Sequence, residues 1–199
     1  GINRHNNSLI LFDRFSLQNA NMVVFATSGA GKSYAVKLEV LRSLMLGVEV
    51  IIIDPEMEYV HLCEAVGGTY VNISLASESK VNPFDLPRPV GKQVSTEDII
   101  RSAVITMKGL VRIMFGTLTP QEDSIEDRAL LETFAKKDIT PSSDLATVEA
   151  PIMQDFLDVL QGMEGADTLV LKLQKYTDGT FAGLFNAPTN VNMNNQLVV

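Results

Sequence analysis

The sequence predicts an α/β fold with a mainly parallel sheet that carries an inserted all-α subdomain. Residues 22–26 form an apolar run that passes into a small-residue turn and then into an amphipathic helix. Residues 48–54 are nearly all apolar and β-branched, which is typical of a buried parallel strand. From Ser95 onward, apolar residues recur instead at helical spacing over a long stretch, which predicts the all-α segment.

These patterns divide the chain into three segments. Residues 1–94 are predicted to form the first part of the α/β core, and residues 95–178 the all-α insertion. Residues 179–199 are predicted to return to the core. The chain begins without methionine and stops as a new apolar run starts, so we interpret it as a fragment of a longer protein.

Local signals set the predicted boundaries of the elements. Gly47 is expected to end the first helix in the left-handed conformation, and Asp54 with Pro55 to begin the second. Ser95 and Thr119 each stand three positions before an acidic residue, which is the pattern of a capping box. The predicted strands are residues 8–13, 22–26, 48–54, 69–73, 190–194 and 197–199. The predicted helices are residues 34–45, 55–66, 95–115, 119–137, 152–163 and 168–176, with loops at 74–89 and 179–185.

The turn after residues 22–26 has the composition of a loop that binds nucleotide phosphates. Small residues allow backbone N–H groups to approach a phosphate closely where a turn enters a helix. Lys32 is expected to reach the β- and γ-phosphates, and the Ser33 hydroxyl is expected to hold Mg²⁺. Lys32 and Ser33 are therefore the predicted catalytic residues. The predicted nucleotide-binding residues are Thr27, Ser28, Gly29, Ala30, Gly31, Lys32, Ser33 and Tyr34.

Ala26 stands at the first position of this loop pattern, where glycine is usual. Because alanine tolerates fewer backbone conformations, the turn is expected to begin in a region open to residues with a Cβ. The alternative is a chance Gly-Ala-Gly-Lys-Ser turn before a structural helix. The apolar run before the turn and the amphipathic helix after it disfavour that alternative.

Two acidic residues follow the apolar run at 48–54. This run comes about twenty residues after the phosphate loop, so we predict it to be the strand directly after the first helix. Asp54 and Glu56 would then emerge at the carboxyl end of a parallel strand, where ligands collect. Asp54 is a second-tier candidate for the metal and Glu56 for catalysis. The alternative is that they only cap a helix and remain solvated.

Composition excludes several classes of protein. The 199 residues carry a formal net charge of −8 and no run of Lys or Arg, which argues against a broad duplex-binding face. A local basic patch, or a basic pore formed by an oligomer, stays compatible with this charge. The single cysteine, Cys63, rules out a disulfide within the chain and is predicted to lie in the core.

The remaining sequence features add few sites. His5 and His61 are isolated, so no metal site is expected beyond Mg²⁺ carried by a nucleotide. No apolar run is long enough to cross a bilayer, so we expect a soluble chain that can dock on a membrane protein. An Asn-Lys-x-Asp motif is absent from the sequence, which disfavours a GTPase.

Five features occur in a characteristic order along the chain. They are the phosphate loop, the strand ending in Asp54-Pro55-Glu56, the loop Asn82-Pro83-Phe84-Asp85, the helical segment, and the Gly-punctuated return at 179–191. This order resembles the C-terminal ATPase domain of the VirB4/TraC family, the motor ATPases of type IV secretion and conjugation systems. That family is similar to the HerA/FtsK branch of RecA-like translocases, and the resemblance covers nearly the whole chain.

The resemblance implies a RecA-like P-loop NTPase core that binds ATP and Mg²⁺ and directs water onto the γ-phosphate. It also implies a homo-oligomer, a hexamer or a dimer, at the cytoplasmic face of the bacterial inner membrane, in contact with other secretion-system subunits. The family places a Walker B strand ending in Asp-Glu, a polar sensor and an arginine finger further along. None of these has a match here, so the fragment is expected to be truncated before Walker B and incomplete for catalysis by itself.

Other functions stay open at this stage. A DNA translocase of the HerA/FtsK kind would share the motor chemistry and would be stimulated by DNA in a salt-dependent manner. A nucleotide-binding docking module would use ATP for assembly without turnover. A small-molecule kinase ranks below both, because no acceptor-binding feature is visible.

Overall fold

A computed structural model describes residues 3–9, 13–75, 77–87, 95–145 and 147–199 of the chain. Parts of the predicted strand at 8–13 and of the predicted loop at 74–89 lie outside these residues. The helices are α1 (Lys32–Met45), α2 (Val60–Ala65), α3 (Thr96–Phe115), α4 (Pro120–Lys136), α5 (Met153–Gln161), α6 (Asp167–Thr177) and α7 (Ala182–Phe185). The strands are β1 (Val50–Ile51) and β2 (Leu197–Val198), and a short 3-10 helix covers Arg14–Ser16.

The sheet brings distant parts of the chain together. β1 and β2 pair in parallel, with Val50 opposite Leu197. On the other edge of β2, Thr69 forms a parallel bridge with Val198, and the Val71 N–H donates to the Val199 carbonyl at 2.7 Å. β2 therefore lies between two segments that precede it by more than a hundred residues, and the predicted parallel arrangement is confirmed.

The described sheet is nevertheless much smaller than predicted. Residues 22–26 and 190–194 lie in no strand, and within 69–73 only the bridge at Thr69 is present. Ile51 and Ile53 are 75% and 93% exposed, so the prediction of burial on both faces of residues 48–54 is wrong. A strand requires ladder hydrogen bonds to a neighbour, and no described segment supplies them to residues 22–26.

Helix ends that depend on local chemistry lie where the sequence predicts them. Gly47 follows α1 with a φ of 78°, a left-handed conformation that glycine adopts without strain. The Ser95 hydroxyl accepts from the Asp98 N–H at 3.1 Å. Thr119 and Glu122 form the reciprocal capping box at the start of α4. These caps satisfy first-turn amides, which accounts for the helix starts in this part of the chain.

Two further predicted elements differ in the structure. The second helix begins at Val60 and not at Pro55, so the prediction that Asp54 and Pro55 start it is wrong. Met57 has a φ of 56°, a left-handed conformation that cannot continue a right-handed helix. The predicted loop at 179–185 contains the short helix α7 (Ala182–Phe185).

The described residues form two apolar cores. The first joins α1, α2 and β2 through Val40, Cys63 and Leu197, and Cys63 is buried as predicted. The second is formed by helices α3 to α6, which correspond to the four helices predicted between residues 95 and 178. Whether these helices form an inserted subdomain of their own stays a prediction.

The loop containing Asn82 packs into the second core and is hydrogen-bonded to the segment around Thr189. Phe84 is fully buried between Phe134 and Phe156, with ring centroids 5.8 and 6.0 Å away. Asn82 donates from its backbone to the Thr189 hydroxyl at 2.7 Å and from its side chain to the Pro151 carbonyl at 2.8 Å. Two of the segments that carry the sequence resemblance therefore contact each other directly.

Gly68 occupies a position that the Cys63 side chain of α2 and the backbone of β2 both approach closely. A Cβ at this position would lie 2.8 Å from the Cys63 Sγ and 2.9 Å from the Leu197 carbonyl oxygen. That oxygen accepts from the Thr69 N–H, so relieving the overlap would disturb the sheet. We expect Gly68→Ala to lower the free energy of unfolding by about 2 kcal/mol, as overpacking does.

Gly109→Ala is the matched control for this prediction, with urea-induced unfolding as the measurement. Gly109 lies inside α3, and a Cβ there meets nothing within 4 Å. Alanine at this position should raise the free energy of unfolding by roughly 0.5–1 kcal/mol through helix propensity. Equal effects of the two substitutions would contradict the close approach at Gly68.

Candidate functional site

The phosphate loop forms a tight turn that leads directly into α1. The Ala30 N–H donates to the Thr27 carbonyl at 3.1 Å, and Gly29 and Gly31 have φ values of 78° and 86°. Ala26 does not have a positive φ, which confirms that a residue with a Cβ is accommodated at the first position. An added Cβ at either glycine would meet nothing within 4 Å, so lack of space does not explain them. Their left-handed φ values do, because glycine adopts these without strain.

The N-terminus of α1 is open. Gly31 is the N-cap, and within the described part of the chain no side chain caps the first turn. The backbone N–H groups of the first turn of any helix have no acceptor within the helix, and here no side chain of the described residues replaces one. These groups also carry the positive end of the helix dipole. An anion such as a phosphate is the ligand that such a terminus favours.

A cleft of about 830 Å³ lies against this helix terminus. One wall is the phosphate loop, residues 26–34, and the other is the segment after β1, residues 53–56 with Glu58 and Tyr59. All of the predicted nucleotide-binding residues line this cleft, as do Asp54 and Glu56. Glu58 and Tyr59 were not predicted. Glu58 could have been indicated by the three acidic residues that alternate with Pro55 and Met57 directly after the apolar run.

The two walls of the cleft carry opposite charges. Among the described residues that line it, Lys32 alone is cationic, whereas Asp54, Glu56 and Glu58 are anionic. The triphosphate of a nucleotide would add further negative charge. A divalent cation would offset the repulsion between such phosphates and the acidic wall. The oxygen-rich lining and the Ser33 hydroxyl suit Mg²⁺, which prefers oxygen ligands.

The acidic wall is a closed turn. The Asp54 Oδ2 accepts from the Tyr59 N–H at 2.8 Å, which joins the two ends of residues 54–59. Tyr59 also contacts α1, because the Lys37 Nζ lies 5.1 Å from the centroid of its ring. Burial, helped by the charges of Glu58 and Asp54, raises the pKa of the Tyr59 phenol, so the hydroxyl stays protonated at neutral pH.

The described residues offer no other obvious reactive centre. Among all the described residues, those of the cleft included, no three His, Cys, Asp or Glu side chains form a group that could hold a metal ion. Burial raises the pKa of the Cys63 thiol, which leaves it protonated and a weak nucleophile. None of the described helices combines the length and the apolar character needed to cross a bilayer.

Two comparisons with known proteins found a match. The model of the family described as "TraG P-loop domain" matches residues 11–199. A solved structure, VirB4 of Thermoanaerobacter pseudethanolicus, matches with 26% sequence identity and a TM-score of 0.79. The match covers 98% of this chain and 54% of that chain, so the present chain spans about half the length of the solved relative. No curated protein matches.

Proposed function

Because the chain belongs to the TraG P-loop domain family, with the P-loop NTPase fold, we propose that it binds and hydrolyses ATP in a type IV secretion or conjugation system. The observation that carries this proposal is the open N-terminus of α1, which lies behind the Gly29–Gly31 turn and faces a cleft large enough for a nucleotide. The structural similarity to VirB4 supports the assignment to secretion.

The finer architecture of the sequence prediction belongs to the proposal. The α/β part is a RecA-like core, and the helices of residues 95–178 are an all-α insertion in it. The parallel pairing of β1, β2 and Thr69 supports the core. The separate apolar core of α3 to α6 supports the insertion.

Each residue of the phosphate loop has a proposed role in hydrolysis. The backbone N–H groups of residues 29–33 bind phosphate oxygens, and the Lys32 ammonium stabilises the charge that develops on the γ-phosphate. The Ser33 hydroxyl would hold Mg²⁺, which would supply charge neutralisation for the phosphates. Tyr34, Thr27 and Ser28 line the path of the nucleotide. Glu56 is the proposed acidic group on the opposite wall that orients water. The sequence also offers Asp54 as a candidate for the metal, a role that the experiment on position 54 below tests.

The wider biological setting is also part of the proposal. A homo-oligomer, hexameric or dimeric, would act on the cytoplasmic side of the bacterial inner membrane beside other secretion-system subunits. ATP-driven motion would energise channel assembly or the transfer of substrate. The net charge of −8 gives no support to broad nucleic-acid binding, so a HerA/FtsK-like DNA translocase is the alternative to be tested.

The Mg²⁺ dependence of ATP hydrolysis tests the proposed function. In the full-length protein, Ser33→Ala removes the metal-binding hydroxyl, so the Mg²⁺ concentration for half-maximal phosphate release should rise about tenfold. Ser43→Ala, on the same helix but away from the cleft, is the matched control and should leave that concentration unchanged. Mg²⁺-independent turnover, or an equal response of both variants, would contradict the assignment.

A further inference from the structure

The turn from Asp54 to Tyr59 stands opposite the phosphate loop and is held in a conformation that its own sequence does not favour. Met57 adopts a φ of 56°, a left-handed conformation that is strained for a residue with a Cβ. Residues 55–58 are exposed, so little packing stabilises them. The conformation must therefore be maintained by contacts at the two ends of the turn.

Both ends of the turn are fastened. At the first end, Asp54 continues from β1, whose backbone is bonded to β2. At the second end, the Tyr59 ring lies under the Lys37 ammonium of α1, the helix whose first turn faces the cleft. The hydrogen bond from the Tyr59 N–H to the Asp54 Oδ2, at 2.8 Å, joins these two anchors. The Asp54 carboxylate therefore closes the turn between its two anchors.

We infer that Asp54 is a positioning residue, which acts through the Tyr59 N–H to hold the Glu56–Glu58 turn over the phosphate loop, and is not itself a ligand of Mg²⁺. Its Oδ2 accepts from the Tyr59 N–H, and it does not cap a helix that begins at Pro55, which is the role that the sequence predicts. Glu56 and Glu58 remain exposed on the turn and line the cleft. This inference rests on the proposed ATPase function, because the positioned carboxylates matter only if water attacks a phosphate there.

Asparagine and alanine at position 54 separate the two roles in the full-length protein. The Asn side chain keeps an oxygen that accepts the Tyr59 N–H but carries no charge for a metal. Asp54→Ala should lower kcat for ATP hydrolysis by roughly tenfold or more, since displacement of catalytic groups by about 1 Å is costly. Asp54→Asn should restore most of that loss, and the Mg²⁺ concentration for half-maximal rate should be the same in all three proteins.

Hydrogen exchange at the Tyr59 backbone amide gives a readout that does not depend on activity. Exchange should be faster than wild type in Asp54→Ala and close to wild type in Asp54→Asn. Glu49→Ala is the matched control, because Glu49 is an exposed carboxylate just before β1 and does not line the cleft. It should change neither the exchange at Tyr59 nor the rate.

The outcomes distinguish this inference from the proposed function. If Asp54→Asn is as slow as Asp54→Ala and both need more Mg²⁺, Asp54 is a metal ligand and the inference is overturned. Unchanged Tyr59 exchange in Asp54→Ala would overturn it as well. If Asp54→Ala does not fold, the rate and Mg²⁺ dependence of Asp54→Asn decide alone. A wild-type protein without turnover would instead refute the ATPase proposal, whatever the exchange at Tyr59.

Discussion

Lys32→Ala in the full-length protein is expected to lower kcat for ATP hydrolysis by about two to three orders of magnitude. Lys32 is the first residue of α1, and among the described lining residues it is the sole cation facing the acidic wall of the cleft. Its removal leaves the charge that develops on the γ-phosphate opposed only by backbone amides and Mg²⁺. Steady-state phosphate release at saturating ATP and Mg²⁺ is the measurement.

Lys136→Ala is the matched control for the loss of one lysine charge. Lys136 is exposed in the last turn of α4 and does not line the cleft, so its removal should leave kcat within about twofold. Equal rates for wild type and Lys32→Ala would contradict the assignment of Lys32. Nucleotide binding without turnover in the wild type would favour a docking module. Salt-dependent stimulation by DNA would favour a translocase.

The free energy of unfolding of the wild type is expected to fall as the pH rises from 5 to 8. Glu126→Gln is expected to remove most of that fall. Glu126 lies on α4 and is fully buried, and neither carboxylate oxygen has a hydrogen-bond partner among the described residues. The Nζ of the nearby Lys108 is 2.8 Å from the Asp127 Oδ1 and 3.4 Å from the Asp123 Oδ2. Lys108 therefore forms ion pairs with those two carboxylates. Burial raises the pKa of Glu126 from 4.5 to about 7 despite the opposing charge of Lys108.

The direction of the pH effect follows from that raised pKa. Below pH 4.5 the carboxyl is protonated in both folded and unfolded chains, so it carries no penalty. Between pH 4.5 and about 7 the unfolded chain releases its proton and the folded chain does not, so the free energy of unfolding falls as pH rises. The difference between a pKa of 4.5 and a pKa of about 7 corresponds to a loss of roughly 3 kcal/mol in the free energy of unfolding. Above pH 7 this loss stays constant.

Urea-induced unfolding at pH 5 and pH 8 measures the difference for wild type and variant. Glu126→Gln stays neutral, so its free energy of unfolding should change between the two pH values by roughly 3 kcal/mol less than that of the wild type. Glu132→Gln is the matched control, because Glu132 is exposed on the same helix and should leave the pH dependence unaltered. A wild type as stable at pH 8 as at pH 5 would show that Glu126 is not buried as a lone carboxyl.

Features that depend on neighbouring residues in the chain were accessible from the sequence. The Gly29–Gly31 turn, the start of α1 at Lys32 and the capping box at Thr119 all use backbone groups within a few residues of the side chains that specify them. The burial of Cys63 followed from its place on an amphipathic segment. Such interactions are set by local geometry, which the order of residue types encodes directly.

Features that depend on what lies beside a segment were not accessible. Residues 22–26 and 69–73 have strand composition, yet whether they join a ladder depends on a neighbour elsewhere in the chain. The shared capping-box pattern predicted α3 and α4, whereas the late start of α2 follows from the Asp54–Tyr59 closure and the left-handed Met57. Secondary-structure propensity is a property of the residue itself. Strand pairing and burial depend instead on the residues that surround it in the folded chain.

The sequence by itself therefore determined the phosphate loop, the helix caps and the general order of an α/β chain with a helical segment. Only the tertiary structure decided that the turn bearing Glu56 and Glu58 closes on Asp54 and stands opposite Lys32. It alone also decided that β2 lies between β1 and Thr69, and that Glu126 is buried without a partner. The reason is that close approach of distant segments depends on the packing of the whole chain, which no local pattern of residues contains.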